Sequence, residues 1–81
     1  MVISRDQCRA GRALVDWTQD QLASAASVSK KTLADFEKGN RTPYDRTLLD
    51  IERALETAGV EFTPENGGGA GVRFRDRAPR P

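Results

Sequence analysis

The chain has 81 residues, with 13 Lys and Arg, 12 Asp and Glu, no histidine and a formal net charge of +1. That length allows one domain with a small core, and no apolar run approaches the roughly 18 residues of a membrane span. With Cys8 the only cysteine and no histidine, an internal disulfide, a His/Cys zinc site and His-based acid–base or nucleophilic catalysis are excluded.

The first helix is expected over Arg5 to Val15. Ser4 and Gln7 form a capping box, Ile3 and Cys8 a hydrophobic staple across the same boundary, and Cys8, Gly11, Leu14 and Val15 recur on one face. Gly11 inside a helix costs about 1 kcal/mol against alanine, and close approach of another helix is the reason to keep it. The second helix starts at Gln19 behind a second capping box, Thr18 with Gln21, and a second staple, Trp17 with Leu22; it ends near Ala25 to Ser27. The third runs from Lys30 to Lys38, with Ser29 as N-cap, Val28 and Leu33 as staple, and Gly39 as the left-handed closing residue. Leu33, Phe36 and Glu37 face inward; Lys30, Lys31, Ala34, Asp35 and Lys38 face out. A polar turn, Asn40 to Pro43, leads to the fourth helix over about 45–58, where Leu48, Ile51, Leu55 and Ala58 make an apolar stripe.

After Gly59 the period changes to two. Val60 to Thr63 and Val72 to Arg75 alternate apolar and polar across the turn-forming segment 64–71. This predicts a β-hairpin with Val60, Phe62, Val72 and Phe74 on one face. An isolated hairpin is marginal in water, so it either covers the helices or pairs with a second chain. Residues 76–81 read as a disordered basic tail. The glycine-rich segment lacks the Gly-Lys-Ser/Thr ending of a phosphate loop. Three parts follow: a helical unit over 1–59, the hairpin over 60–75 and the tail over 76–81.

Two short helices joined by a tight turn, the second opening with paired lysines, are how a helix-turn-helix presents a probe to the DNA major groove. Charge sharpens this. Residues 1–42 carry +2, residues 43–71 carry −4 and residues 72–81 carry +3, so phosphate would be met by a concentrated basic face, not by overall charge. Lys30 and Lys31 are suited to guanines or phosphates. Gln19 lies in a helix first turn, where phosphate is favoured. Arg73, Arg75, Arg77 and Arg80 either grip DNA backbone or keep an exposed strand soluble.

Residues 4–59 resemble the Cro/repressor-type (lambda-repressor-like, xenobiotic-response-element) helix-turn-helix family. The resemblance is carried by Arg12-Ala13-Leu14-Val15-Asp16-Trp17-Thr18-Gln19, Gln21-Leu22-Ala23, Val28-Ser29, Thr32-Leu33, Phe36-Glu37-Lys38-Gly39, Arg41-Thr42-Pro43, Thr47-Leu48, and Ile51 through Leu55. It implies a mainly α bundle of four short helices, here followed by the C-terminal β-hairpin, acting as a small dimeric repressor or autoregulator on a palindromic operator in double-stranded DNA. It also implies that Gln19 caps a phosphate, that Lys30, Lys31 and Asp35 face base edges, that Thr32 and Lys38 lie at the groove margin, and that Asn40, Arg41 and Thr42 reach phosphates. The chain departs from the family in carrying Ser27 where glycine is common in the turn, and Asp35 where many relatives carry a neutral or basic reader.

A second reading uses the same fold to bind protein: an antiactivator or antitoxin that sequesters another regulator. The near-neutral charge, Asp35 and the added hairpin, whose edge can add a strand to a partner's sheet, motivate it. Val60, Phe62, Val72 and Phe74 are the expected dimer or partner interface. Neither enzyme activity nor a cofactor or metal is expected. The N-terminal MVISRDQ lacks a signal-peptide pattern, so a cytoplasmic location is expected.

Overall fold

A computed structural model describes residues 2–64 and 69–75; the basic tail expected over 76–81 lies outside these. The element order is α1 (Arg5–Val15), α2 (Gln19–Ala26), α3 (Lys30–Lys38), α4 (Asp45–Thr57), β1 (Val60–Thr63) and β2 (Gly71–Phe74).

The helix starts follow from local side chains. Ser4 Oγ accepts from Gln7 N at 3.1 Å while Ser4 N donates to Gln7 Oε1 at 2.9 Å. Thr18 and Gln21 repeat this exchange at 3.1 and 2.8 Å. Ser29 Oγ accepts from Thr32 N at 3.0 Å. Each pairing satisfies backbone donors that a helix N-terminus leaves open. The fourth helix differs: Tyr44 is its N-cap and makes no side-chain cap bond.

The ends are set by left-handed residues. Asp16, Ser27 and Gly39 have φ of 60°, 59° and 82°. At Gly39 this conformation suits glycine, and a Cβ there would also collide with the Arg5 guanidinium, which donates from Nη1 to Lys38 O at 3.0 Å. The last helix stops at Thr57, one residue short of the expected end. Ala58 is its right-handed C-cap, and Gly59 N bonds Glu56 O at 3.0 Å.

Leu22, Leu33, Ile51, Leu55, Val60 and Cys8 are sealed from solvent at the centre. Close approach does explain Gly11: a Cβ there would stand 3.2 Å from Leu55 Cδ1 and 3.6 Å from Phe62 Cε1. The neighbours that claim the space are thus a helix and the first strand together.

The two strands are antiparallel, with Val60 opposite Phe74, Glu61 opposite Arg73, Phe62 opposite Val72 and Thr63 opposite Gly71. They pack on α1 and α4. Gln7 fastens them, its Nε2 donating to Thr63 O at 3.2 Å and Gly71 O at 3.1 Å. One side-chain amide therefore caps a helix with its oxygen and anchors the hairpin with its nitrogen. Val60 and Phe62 are buried, Val72 is half-buried, and Phe74, on the last rung of the ladder, remains 37% exposed. Arg75 follows the strand, donating from its backbone to Gly59 O at 2.8 Å and from its side chain to Glu56 O. Among the described residues no helix is long and apolar enough to cross a membrane.

Candidate functional site

The orientation of α3 is fixed by Glu37, whose side chain is only 3% exposed. Arg12 from α1 grips it through both carboxylate oxygens, Nε to Oε2 at 2.8 Å and Nη2 to Oε1 at 2.7 Å. Arg12 Nη1 also donates to Trp17 O at 3.0 Å, tying the α1–α2 turn to the same group. Gln19 Nε2 from α2 donates to Glu37 Oε1 at 3.0 Å, and Cys8 Sγ to Oε2 at 3.1 Å. Burial pushes the Glu37 carboxyl up, but the hydrogen bonds from Arg12, Gln19 and Cys8 outweigh it and hold the group below its ordinary value. Burial, joined by the neighbouring carboxylate, pushes the Cys8 thiol well above its ordinary value, so it is a hydrogen-bond donor and not a reactive thiolate.

With Leu33, Phe36 and Glu37 committed inward, the other face of α3 is left to solvent. Lys30 and Lys31 open it. Lys30 Nζ stands 3.4 Å from Asp20 Oδ1 of α2, and Lys31 Nζ stands 3.1 Å from Asp35 Oδ2 one turn along. Thr32 Oγ1 accepts from Ser29 Oγ at 2.8 Å. Lys38 is exposed at the far end, beside the exposed Asn40, Arg41 and Thr42 of the following turn. Asn40 N bonds Asp35 O at 2.9 Å, which folds that turn back against the helix.

Of the residues singled out in the sequence, Lys31, Thr32, Asp35, Arg41 and Thr42 line one cleft of about 430 Å³, together with Pro43, Tyr44 and Thr47. Lys30 adjoins α2 instead, and Lys38 and Asn40 stand outside the cleft lining. Gln19 is half-buried with its amide nitrogen directed to Glu37. Val60 and Phe62 belong to the chain's own core, while Phe74 and Val72 lie nearer the surface.

Three features escaped the sequence reading. Asp20 as the partner of Lys30 joins residues ten apart on different helices, which no within-helix spacing reveals. Arg12 as the partner of Glu37 is a pairing across 25 residues. Tyr44, 88% exposed on the cleft rim, carried one available signal: an aromatic at a helix start, where Ser, Thr, Asp or Asn is favoured. Among the described residues no group of acidic or sulfur side chains is placed to hold a metal ion.

A helix-turn-helix family model matches residues 9–62, which takes in the last three helices and the body of the first. The chain is also similar to YazB, an uncharacterized HTH-type transcriptional regulator of Bacillus subtilis (strain 168). The two are 34% identical over 56 residues, covering 69% of this chain and 81% of that protein.

Proposed function

Because the chain belongs to the Cro/repressor-type helix-turn-helix family of DNA-binding regulators, we propose that it is a sequence-specific transcriptional repressor or autoregulator that places α3 in the major groove. The observation that carries this reading is the division of α3: one face is anchored through the Arg12–Glu37 pair, and the other presents Lys30, Lys31 and Asp35 to solvent. A probe helix must be held rigidly by one face and be free on the other.

In this reading Lys31 and Asp35 meet base edges, Thr32 and Lys38 lie at the groove margin, and Asn40, Arg41 and Thr42 meet phosphates. Gln19 contributes through the second hydrogen of its amide nitrogen, the first being donated to Glu37; the buried carboxylate aims the amide. A two-fold dimer sets two α3 helices about 34 Å apart on a palindromic site. The hairpin braces that dimer through Val72 and Phe74, backed by Val60 and Phe62. Helix-turn-helix regulators are typically not enzymes, and we read this chain the same way, acting in the cytoplasm with the DNA it regulates.

Lys30→Ala with Lys31→Ala is expected to abolish a gel shift on DNA from the protein's own operon while the circular-dichroism melt stays cooperative. Retained binding by the folded double variant removes α3 as the reader. A second reading, capture of another regulator by this fold, is favoured by one observation: both leading lysines are already faced by carboxylates. Salt separates the two. Phosphate contacts give a log–log slope of about −0.9 per contact on duplex DNA, whereas a protein partner held through Phe74, the exposed hairpin aromatic, gives binding nearly insensitive to salt.

A further inference from the structure

We propose that Lys31 and Asp35 act as one unit that reads a G·C base pair, Lys31 on the guanine and Asp35 on the cytosine. This rests on the DNA-binding reading and deepens it by naming what the probe selects.

The first support is electrostatic. Asp6, Asp20 and Asp45 occupy the first turns of α1, α2 and α4, where the helix dipole favours acid. The third helix has no acid in its first turn and carries Lys30 and Lys31 there instead. Its only acid besides the buried Glu37 is Asp35, in the second half, where the dipole disfavours a carboxylate. A lysine four residues before an acid is also the weaker order for a helix pair. Both charges are thus placed against the helix dipole, and their mutual attraction runs in the weaker order, which points to a role outside the helix.

The second support is geometric. Lys31 Nζ and Asp35 Oδ2 stand 3.1 Å apart in the lining of the cleft, with side chains 83% and 23% exposed. In a G·C pair the cytosine amino group donates to guanine O6 across an ordinary hydrogen bond of about 2.9 Å. The second amino hydrogen, the outer lone pair of O6 and guanine N7 face the major groove. A donor and an acceptor at the spacing of Lys31 and Asp35 match O6 and the amino group side by side, and N7 lies beyond O6 on the lysine side. An A·T pair offers an amino donor and an O4 acceptor too, but there the carboxylate falls beside adenine N7, an acceptor that repels it, and the ammonium falls beside the thymine methyl.

The test is selection from a duplex library with a randomised core, sequenced after binding to the full chain and to Asp35→Asn and Asp35→Ala. Circular dichroism checks that both variants fold. The wild-type chain is expected to recover sites with a fixed G·C pair. Asp35→Asn is expected to turn that pair, and no other, toward A·T, since asparagine bonds adenine N6 and N7 together. Asp35→Ala is expected to lose about a tenfold to hundredfold preference at the same pair. Identical sites recovered by all three chains, or a change confined to a pair that is A·T for the wild type, overturn this inference and leave the DNA-binding reading standing. Recovery of no site by the folded wild-type chain overturns both.

Discussion

Glu37 concentrates more of the molecule's bonding than any other described side chain, taking donors from Arg12, Gln19 and Cys8. Removing one partner of such a buried pair leaves a charge stranded. Arg12→Ala is expected to cost about 3 kcal/mol, a large fraction of a small domain's stability, measured by urea unfolding. Replacing both partners with methionine is expected to cost less than Arg12→Ala alone, because no charge is then stranded. The acid limb follows from the depressed carboxyl. Its contribution is fully present above the ordinary glutamate value of 4.5 and is lost as pH falls from there through the lowered value. Glu52 has the opposite sign: burial and then the neighbouring Glu56 raise its carboxyl. Its contribution is fully present below 4.5 and is lost as pH rises through the raised value. Glu52→Gln is therefore expected to raise the urea midpoint at neutral pH, with the gain vanishing below 4.5; an equal gain at all pH values contradicts this.

Caps decide where helices begin, and three of the four starts were legible: two as Ser or Thr paired with Gln three residues on, the third as Ser29 behind the Val28–Leu33 staple. The exception is α4, whose N-cap Tyr44 leaves first-turn donors without a side-chain acceptor. Tyr44→Ser is expected to stabilise the fold by roughly 0.5–1 kcal/mol, read from denaturant unfolding. The turn between α2 and α3 holds a comparable reserve. Ser27 sits at φ 59°, a left-handed conformation costing about 1 kcal/mol for a residue with a Cβ. Ser27→Gly is expected to recover part of it, less the entropy that glycine adds to the unfolded chain. An unchanged or lower midpoint would show that the turn carries no strain of this kind.

Across the fold, the hairpin completes the core. Val60 and Phe62 fill space over α1 and α4, and Gln7 bonds the end of the ladder. Phe74, 37% exposed at the other end, marks the surface through which we expect two copies to meet. Phe74→Ser is accordingly expected to shift the sedimentation of concentrated protein toward monomer while the melt at low concentration stays in place. A sedimentation profile unchanged by that substitution removes the hairpin from the dimer.

Periodicity and caps are properties of neighbours in the chain, so they specify the four helices, the inward face of α3, the family resemblance and two strands, the second of which begins at Gly71, one residue before the alternating stretch. Ser29, Leu33 and Gly39 delimit α3 whatever surrounds it. Packing supplies what those local rules cannot reach. It joined Arg12 to Glu37 across 25 residues and Lys30 to Asp20 across ten. It turned Gln19 toward a buried carboxylate, left Phe74 partly uncovered, and gathered Lys31, Asp35, Arg41 and Tyr44 around one cleft. Each of these depends on how the elements pack against one another, and that is set by how the buried side chains fit together, which no spacing along the chain records.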